Sequence, residues 1–161
     1  MKKVDFGPRS AGDYVGLHVI PAHQQFLRIS NLENAMAAAK ALWETVGWLW
    51  LDRHPGVDRR KARADDVKAF DNDLFKRCPD LQLLRDLADA AKHGGELSNP
   101  NVTVTGLSGS GSPGGTIFTT TMFGTHESTP ECTLRIEHAG GSRDMKEALA
   151  TTFKFLQTET S

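Results

Sequence analysis

The sequence predicts an α+β fold: mainly a helical bundle with a long helix in its first half, a small three-stranded antiparallel meander or hairpin, and a C-terminal helix. Three observations lead there. Apolar residues recur at alternating spacings of three and four through the first half of the chain, the period of one helical face. After Asn99-Pro100 the composition changes to alternating Val, Thr, Ile and Phe around a Gly/Ser run, as in short strands joined by a loop. From Ser142 the helical spacing returns. At 161 residues these parts fit a single domain, with a helical part at about 13–95, a β part at about 101–138 and a last helix at about 143–158.

The long helix rests on Ile29, Leu32, Met36, Ala39, Trp43, Val46 and Trp50, a continuous seam ending near Arg53. Pro21 suits its first turn, where a missing N–H costs nothing. Ser30 and Glu33 spell a capping box that would split the segment, but the seam keeps its phase past that point, so one helix is expected. His54-Pro55-Gly56 stops it, and a basic loop follows. Ala64 to Cys78 carries Val67, Phe70 and Leu74 on one face and ends at Pro79. The next helix is expected from Asp80 to His93, closed by Gly94-Gly95. VTVTGL, TIFTTTMF and CTLRIEH read as the three strands. Ser142 is expected to cap a final helix with Met145, Leu149, Thr152, Phe153 and Leu156 on its buried face.

A net charge of −1, with 39% hydrophobic and 24% charged residues, excludes a global bias toward nucleic acid or membrane, so any polyanion site has to be local. No apolar stretch follows the lysines of MKKVDFGPRS, and the most apolar run, ALWETVGWLWL, is short and interrupted by Glu44 and Gly47. A cytoplasmic protein without a membrane partner is expected. Cys78 and Cys132 show no metal spacing and read as reduced thiols. The histidines lack ligand spacing, so no metal or other cofactor is expected.

One helix carries the candidate chemistry. Around Leu84–Glu96 the residues Leu83, Leu84, Leu87, Ala88, Ala90 and Ala91 span about 160° of arc, and Arg85, Asp86, Asp89, Lys92 and His93 fill the opposite arc. Two readings are open. The charges are exposed ion pairs at helical spacing, Arg85 with Asp89 and Asp89 with Lys92 or His93. Alternatively, Arg85 is a fork for phosphate, supported by Asp89 and Lys92, and His93 exchanges a proton near neutral pH.

Arg85-Asp86 followed by His93 resembles the motif of the HEPN (higher eukaryotes and prokaryotes nucleotide-binding) families, helical bundles of which many are dimeric, metal-independent ribonucleases. The resemblance implies that Arg85 contacts the scissile phosphate, that Asp86 replaces the polar residue after the arginine, and that His93 is the acid/base for attack by the ribose 2′-hydroxyl. It implies an endoribonuclease of toxin or defence type. The RDxAxxxKH run also resembles a set of uncharacterised bacterial proteins. The alternative is a non-catalytic protein- or nucleic-acid-binding protein of a phage, mobile element or bacterial regulatory system.

Arg59, Arg60, Lys61 and Arg63 form a second candidate, a basic run able to hold nucleic-acid phosphates without reading bases. Gly109 to Gly114 spells GxGxxG, but a strand rather than a helix is expected after it, so it reads as a hairpin loop. Trp48 lies about 100° off the seam, and with the seam's apolar surface it suggests a homodimer through the long helix.

Overall fold

The computed structural model describes residues 7–92, 104–110 and 133–161. The chain opens with α1 (Ala11–Tyr14), a widened π-helical turn (Val15–Val19) and α2 (Ile20–Arg28). Helix therefore begins well before Pro21, at Ser10, whose hydroxyl accepts the Asp13 N–H. The Ile20 N–H reaches back to the Val15 carbonyl just before Pro21. A proline has no N–H to return to the carbonyl four residues earlier, and its ring crowds that carbonyl, so a widened turn at this point relieves the conflict.

The expected single helix is two. α3 (Leu32–Arg53) follows a break at Ile29, whose backbone is extended. The cap is Asn31 rather than Ser30: its side-chain oxygen accepts the Asn34 N–H at 2.8 Å, while the Asn34 amide donates to the Ile29 carbonyl at 2.9 Å. Groups orphaned on both sides of the break are thereby satisfied, and Ile29 is left 41% exposed. The buried face of α3 keeps Leu32, Ala39, Val46 and Trp50 of the expected seam but is broader than it. It runs through Ala35, Ala38, Ala39, Leu42, Val46 and Leu49, with Met36 and Trp43 at its edge. The alanines allow α2, α5 and α6 to approach α3 closely.

α4 (Ala64–Arg77) and α5 (Pro79–Lys92) are separated by Cys78 alone, so Pro79 opens a helix as well as closing one. α5 buries Leu81, Leu83, Leu84 and Leu87. The sheet has the order β1 (Val104–Ser110), β2 (Thr133–His138), β3 (Gly141–Asp144), all antiparallel. It rests on α6 (Met145–Glu159) and α5, with Leu134 and Ile136 of β2 pointing into the core.

Only two of the three expected strands occur among the described residues, with shifted bounds, because TIFTTTMF lies outside them. The third member, β3, occupies residues read as the approach to the last helix. It pairs His138 with Gly141 across a tight turn, and Gly141 has φ 127°, a backbone value that suits glycine. Ser142 consequently lies in a strand, where its hydroxyl accepts from Arg135 Nε at 2.7 Å, and Asp144 caps α6 by accepting the Glu147 N–H. No helix of the described residues is long and apolar enough to cross a membrane.

Candidate functional site

Arg85 and Asp86 of α5 are not part of a solvated charged face. Asp86 is 1% exposed, and Arg85 folds back along the helix so that Nε (2.8 Å) and Nη2 (2.7 Å) both reach Asp86 Oδ1. The Arg85 guanidinium lies over the Phe75 ring of α4, 4.9 Å from its centroid. Arg85 and Asp86 turn inward because α4 packs against this part of α5. Asp89 is half-buried. Of the remaining expected site residues, the Lys92 side chain and all of His93 lie outside the described residues.

The basic run divides. Arg60, Lys61 and Arg63 are exposed, but Arg59 is drawn inward, where Nη2 contacts both Asp71 oxygens at 2.8 and 2.6 Å. The guanidinium stands 5.6 Å from the Trp43 ring centroid, and Nη1 is buried without a hydrogen-bond partner. Trp43 in turn stacks on Phe75 at 6.1 Å. Arg59, Trp43, Phe75 and Arg85 thus form a chain of guanidinium and ring contacts. Burial pushes the Asp71 carboxyl above its ordinary range, although the charges of Arg59 and Arg85 pull it down. Desolvation outweighs them, as it does where a carboxylate is withdrawn from water.

These side chains line a cavity of about 560 Å³ bordered by Arg59, Arg60, Lys68, Asp71, Asn72 and Arg85. Four cations face one lining carboxylate, so the cavity carries the local positive charge that the overall composition lacks. Lys61 and Arg63 do not line it. A second cavity of about 580 Å³ adjoins it, lined by Trp43, Gly47, Trp48 and Leu51 of α3 and by the same Arg59 and Arg60. Trp48 is half-buried rather than free, and the Tyr14 ring stacks on it at 5.8 Å.

The chain matches no protein-family model, no curated protein and no solved structure.

Sequence reasoning found Arg59, Arg60 and Arg85 but missed the α4 wall. Lys68, Asp71, Asn72 and Phe75 stand at i, i+3, i+4 and i+7, one helical face, and that spacing was the available signal. Cys78 is buried with its thiol pushed up by burial, while Cys132 lies outside the described residues. Most of the Gly109–Gly114 motif and His126 lie outside them too; Glu137 and His138 end β2. Among the described residues, no three His, Cys, Asp or Glu side chains are grouped as metal ligands.

Proposed function

We propose that the protein is a small HEPN-like RNA-binding protein that holds phosphates in the cationic cavity between the 54–63 loop, α4 and α5. The observation that carries this reading is the convergence of Arg59, Arg60, Lys68 and Arg85, from the loop and both helices, on one cavity. Asp86 engages the Nε/Nη2 edge of Arg85 and fixes the guanidinium plane, leaving Nη1 outside that pair as a donor to a phosphate oxygen. Orientation of this kind lowers the side-chain entropy lost on binding.

Cleavage requires a proton acceptor near Arg85, the role that the HEPN resemblance assigns to His93. Its chemistry would be attack of a ribose 2′-oxygen on the adjacent phosphorus, with its proton passing to the imidazole, rupture of the bond to the 5′-oxygen, which takes up a proton from water, and release of a 2′,3′-cyclic phosphate and a 5′-hydroxyl. The spacer between Arg85 and His93 is longer than in the family's usual motif, which favours binding over catalysis as the primary reading. A homodimer through α3 would have to close over Trp48 and Leu51, because the centre of the seam is already covered within the chain.

The deciding experiment incubates total RNA in EDTA with wild type, Arg85→Ala and His93→Ala, read by gel shift and by cleavage. Retention by wild type and by His93→Ala, but not by Arg85→Ala, is expected for the binding protein. Cleavage lost in both variants, with cyclic phosphate ends, would make it a metal-independent endoribonuclease. Equal retention by all three would overturn the phosphate site. Binding should also weaken with salt at a log–log slope of about −2 to −3, given that each engaged phosphate of a single strand contributes roughly −0.7.

A further inference from the structure

Gly47 is out of place by helix propensity. It sits mid-way along α3, where glycine is unfavourable relative to alanine, and a Cβ built on it meets nothing within 4 Å. Packing does not require its missing side chain. The open space above it is the second cavity, where Gly47 lies between Trp43 and Leu51, one helical turn from each, with Trp48 beside it. Both tryptophans are fixed by their neighbours, Trp43 by Phe75 and by the Arg59 guanidinium over its ring, and Trp48 by Tyr14. The result is a bare stretch of backbone flanked by fixed indoles.

The wall shared with the cationic cavity decides what such a place would hold. Arg59 and Arg60 line both spaces, so a ligand with its anionic groups among Arg59, Lys68 and Arg85 would place its next uncharged portion over Gly47. In a nucleic acid that portion is a flat base. A base in a duplex is already stacked and paired, whereas an unpaired one presents a face that aromatic side chains can take up.

We propose that the Trp43–Gly47–Trp48 trough is a nucleobase subsite that makes the protein selective for single-stranded over double-stranded RNA. This rests on the phosphate-binding reading of the adjoining cavity and extends it to the substrate's form. Gly47 supplies the clearance, the Trp48 indole the stacking surface, and Arg59, held over the Trp43 ring, the link between base and phosphate positions.

The test uses full-length wild type, Gly47→Ala and Gly47→Leu with four probes: an unstructured single-stranded RNA, its duplex, the same strand with abasic riboses, and inorganic polyphosphate. Gly47→Leu fills the trough while improving helix propensity, so it should fold at least as well as wild type, which thermal melting checks. The expected result is single-stranded RNA held about tenfold more tightly than its duplex or abasic form, consistent with the worth of one stacked base. Gly47→Leu should remove that advantage and leave polyphosphate binding unchanged. Equal affinity for single strand and duplex, untouched by Gly47→Leu, would overturn the base subsite while leaving the phosphate site standing, as would a trough that serves a protein segment. Failure of wild type to bind either RNA or polyphosphate would overturn the phosphate site, and the subsite with it.

Discussion

Asp86 is a buried carboxylate bonded to its own sequence neighbour. Adjacent residues on a helix project about 100° apart and do not ordinarily meet, which is why helical spacing paired Arg85 with Asp89. The length of the arginine side chain defeats that rule: it turns back over Phe75 and reaches Asp86 Oδ1 with two nitrogens. The chemical type of the site was thus legible in the residues, but its geometry was not, because the position of α4 decides which side of α5 is wet. Removing the guanidinium takes a charged partner from a carboxylate that is 1% exposed. Arg85→Ala should cost about 2 kcal/mol, in the range for charge-assisted hydrogen bonds, and lower the melting temperature by roughly 4–8 °C. Asp86→Ala should cost a similar amount. In a double-mutant cycle the two losses should fall short of additivity by at least about 1 kcal/mol. Additive losses would mean that the pair is incidental and that Arg85 is not oriented by Asp86.

The break between α2 and α3 shows what periodicity leaves out at the scale of an element. A seam that keeps phase across residues 29–32 is compatible with one helix or two, and the choice falls to hydrogen-bonding side chains at the junction. Asn31 and Asn34 make that choice through the cap and the reach back to Ile29. Asn31→Ala should therefore cost about 1 kcal/mol, the usual worth of such a cap, seen as a drop of roughly 2–4 °C in melting temperature. The breadth of the buried face of α3 was missed for a similar reason. Counting large apolar residues puts Met36 and Trp43 on the stripe, although they lie at its edge, and overlooks the buried Ala35 and Ala38, which contribute little to a hydrophobicity count. One substitution separates helix propensity from function. Gly47→Ala adds a methyl into open space and should raise stability by about 0.5–1 kcal/mol, which calorimetry can detect. A loss of stability would show that the space above Gly47 is closed in solution.

Over the whole molecule, the ends of α3, α4 and α6 are clasped by one carboxylate. Glu159, near the end of α6, receives Arg53 from the end of α3 and Arg77 from the end of α4, both at 2.5 Å. Burial pushes the Glu159 carboxyl up, but the two arginines more than offset this and hold it below its ordinary value of 4.5. A carboxyl depressed in the folded state stabilises the fold above its unfolded pKa, and that contribution fades as the pH falls through the lower folded value. Against Phe153 of α6, His23 is 8% exposed, with ring centroids 4.7 Å apart and a buried Nε2 without a hydrogen-bond partner. Burial holds its pKa below 6.5, so the unfolded chain takes up a proton first and stability falls as the pH drops below about 6.5. Asp71 acts in the other direction, since its raised pKa means that the folded state regains stability as this carboxyl protonates. The acid limb of a melting-temperature profile should accordingly descend in two stages, His23 first and Glu159 below about 4.5. His23→Phe keeps a ring against Phe153 and should flatten the first stage alone. Glu159→Gln should lower the melting temperature at neutral pH by roughly 2–4 °C, about 1 kcal/mol, a modest figure because Arg53 and Arg77 are 38% and 40% exposed and solvent screens them. The gap between Glu159→Gln and wild type should then close as the pH falls below 4.5 and through the lower folded value. A gap that persists at acid pH would show that Glu159 acts by packing at the end of α6, and that its charge does not hold the helix ends together.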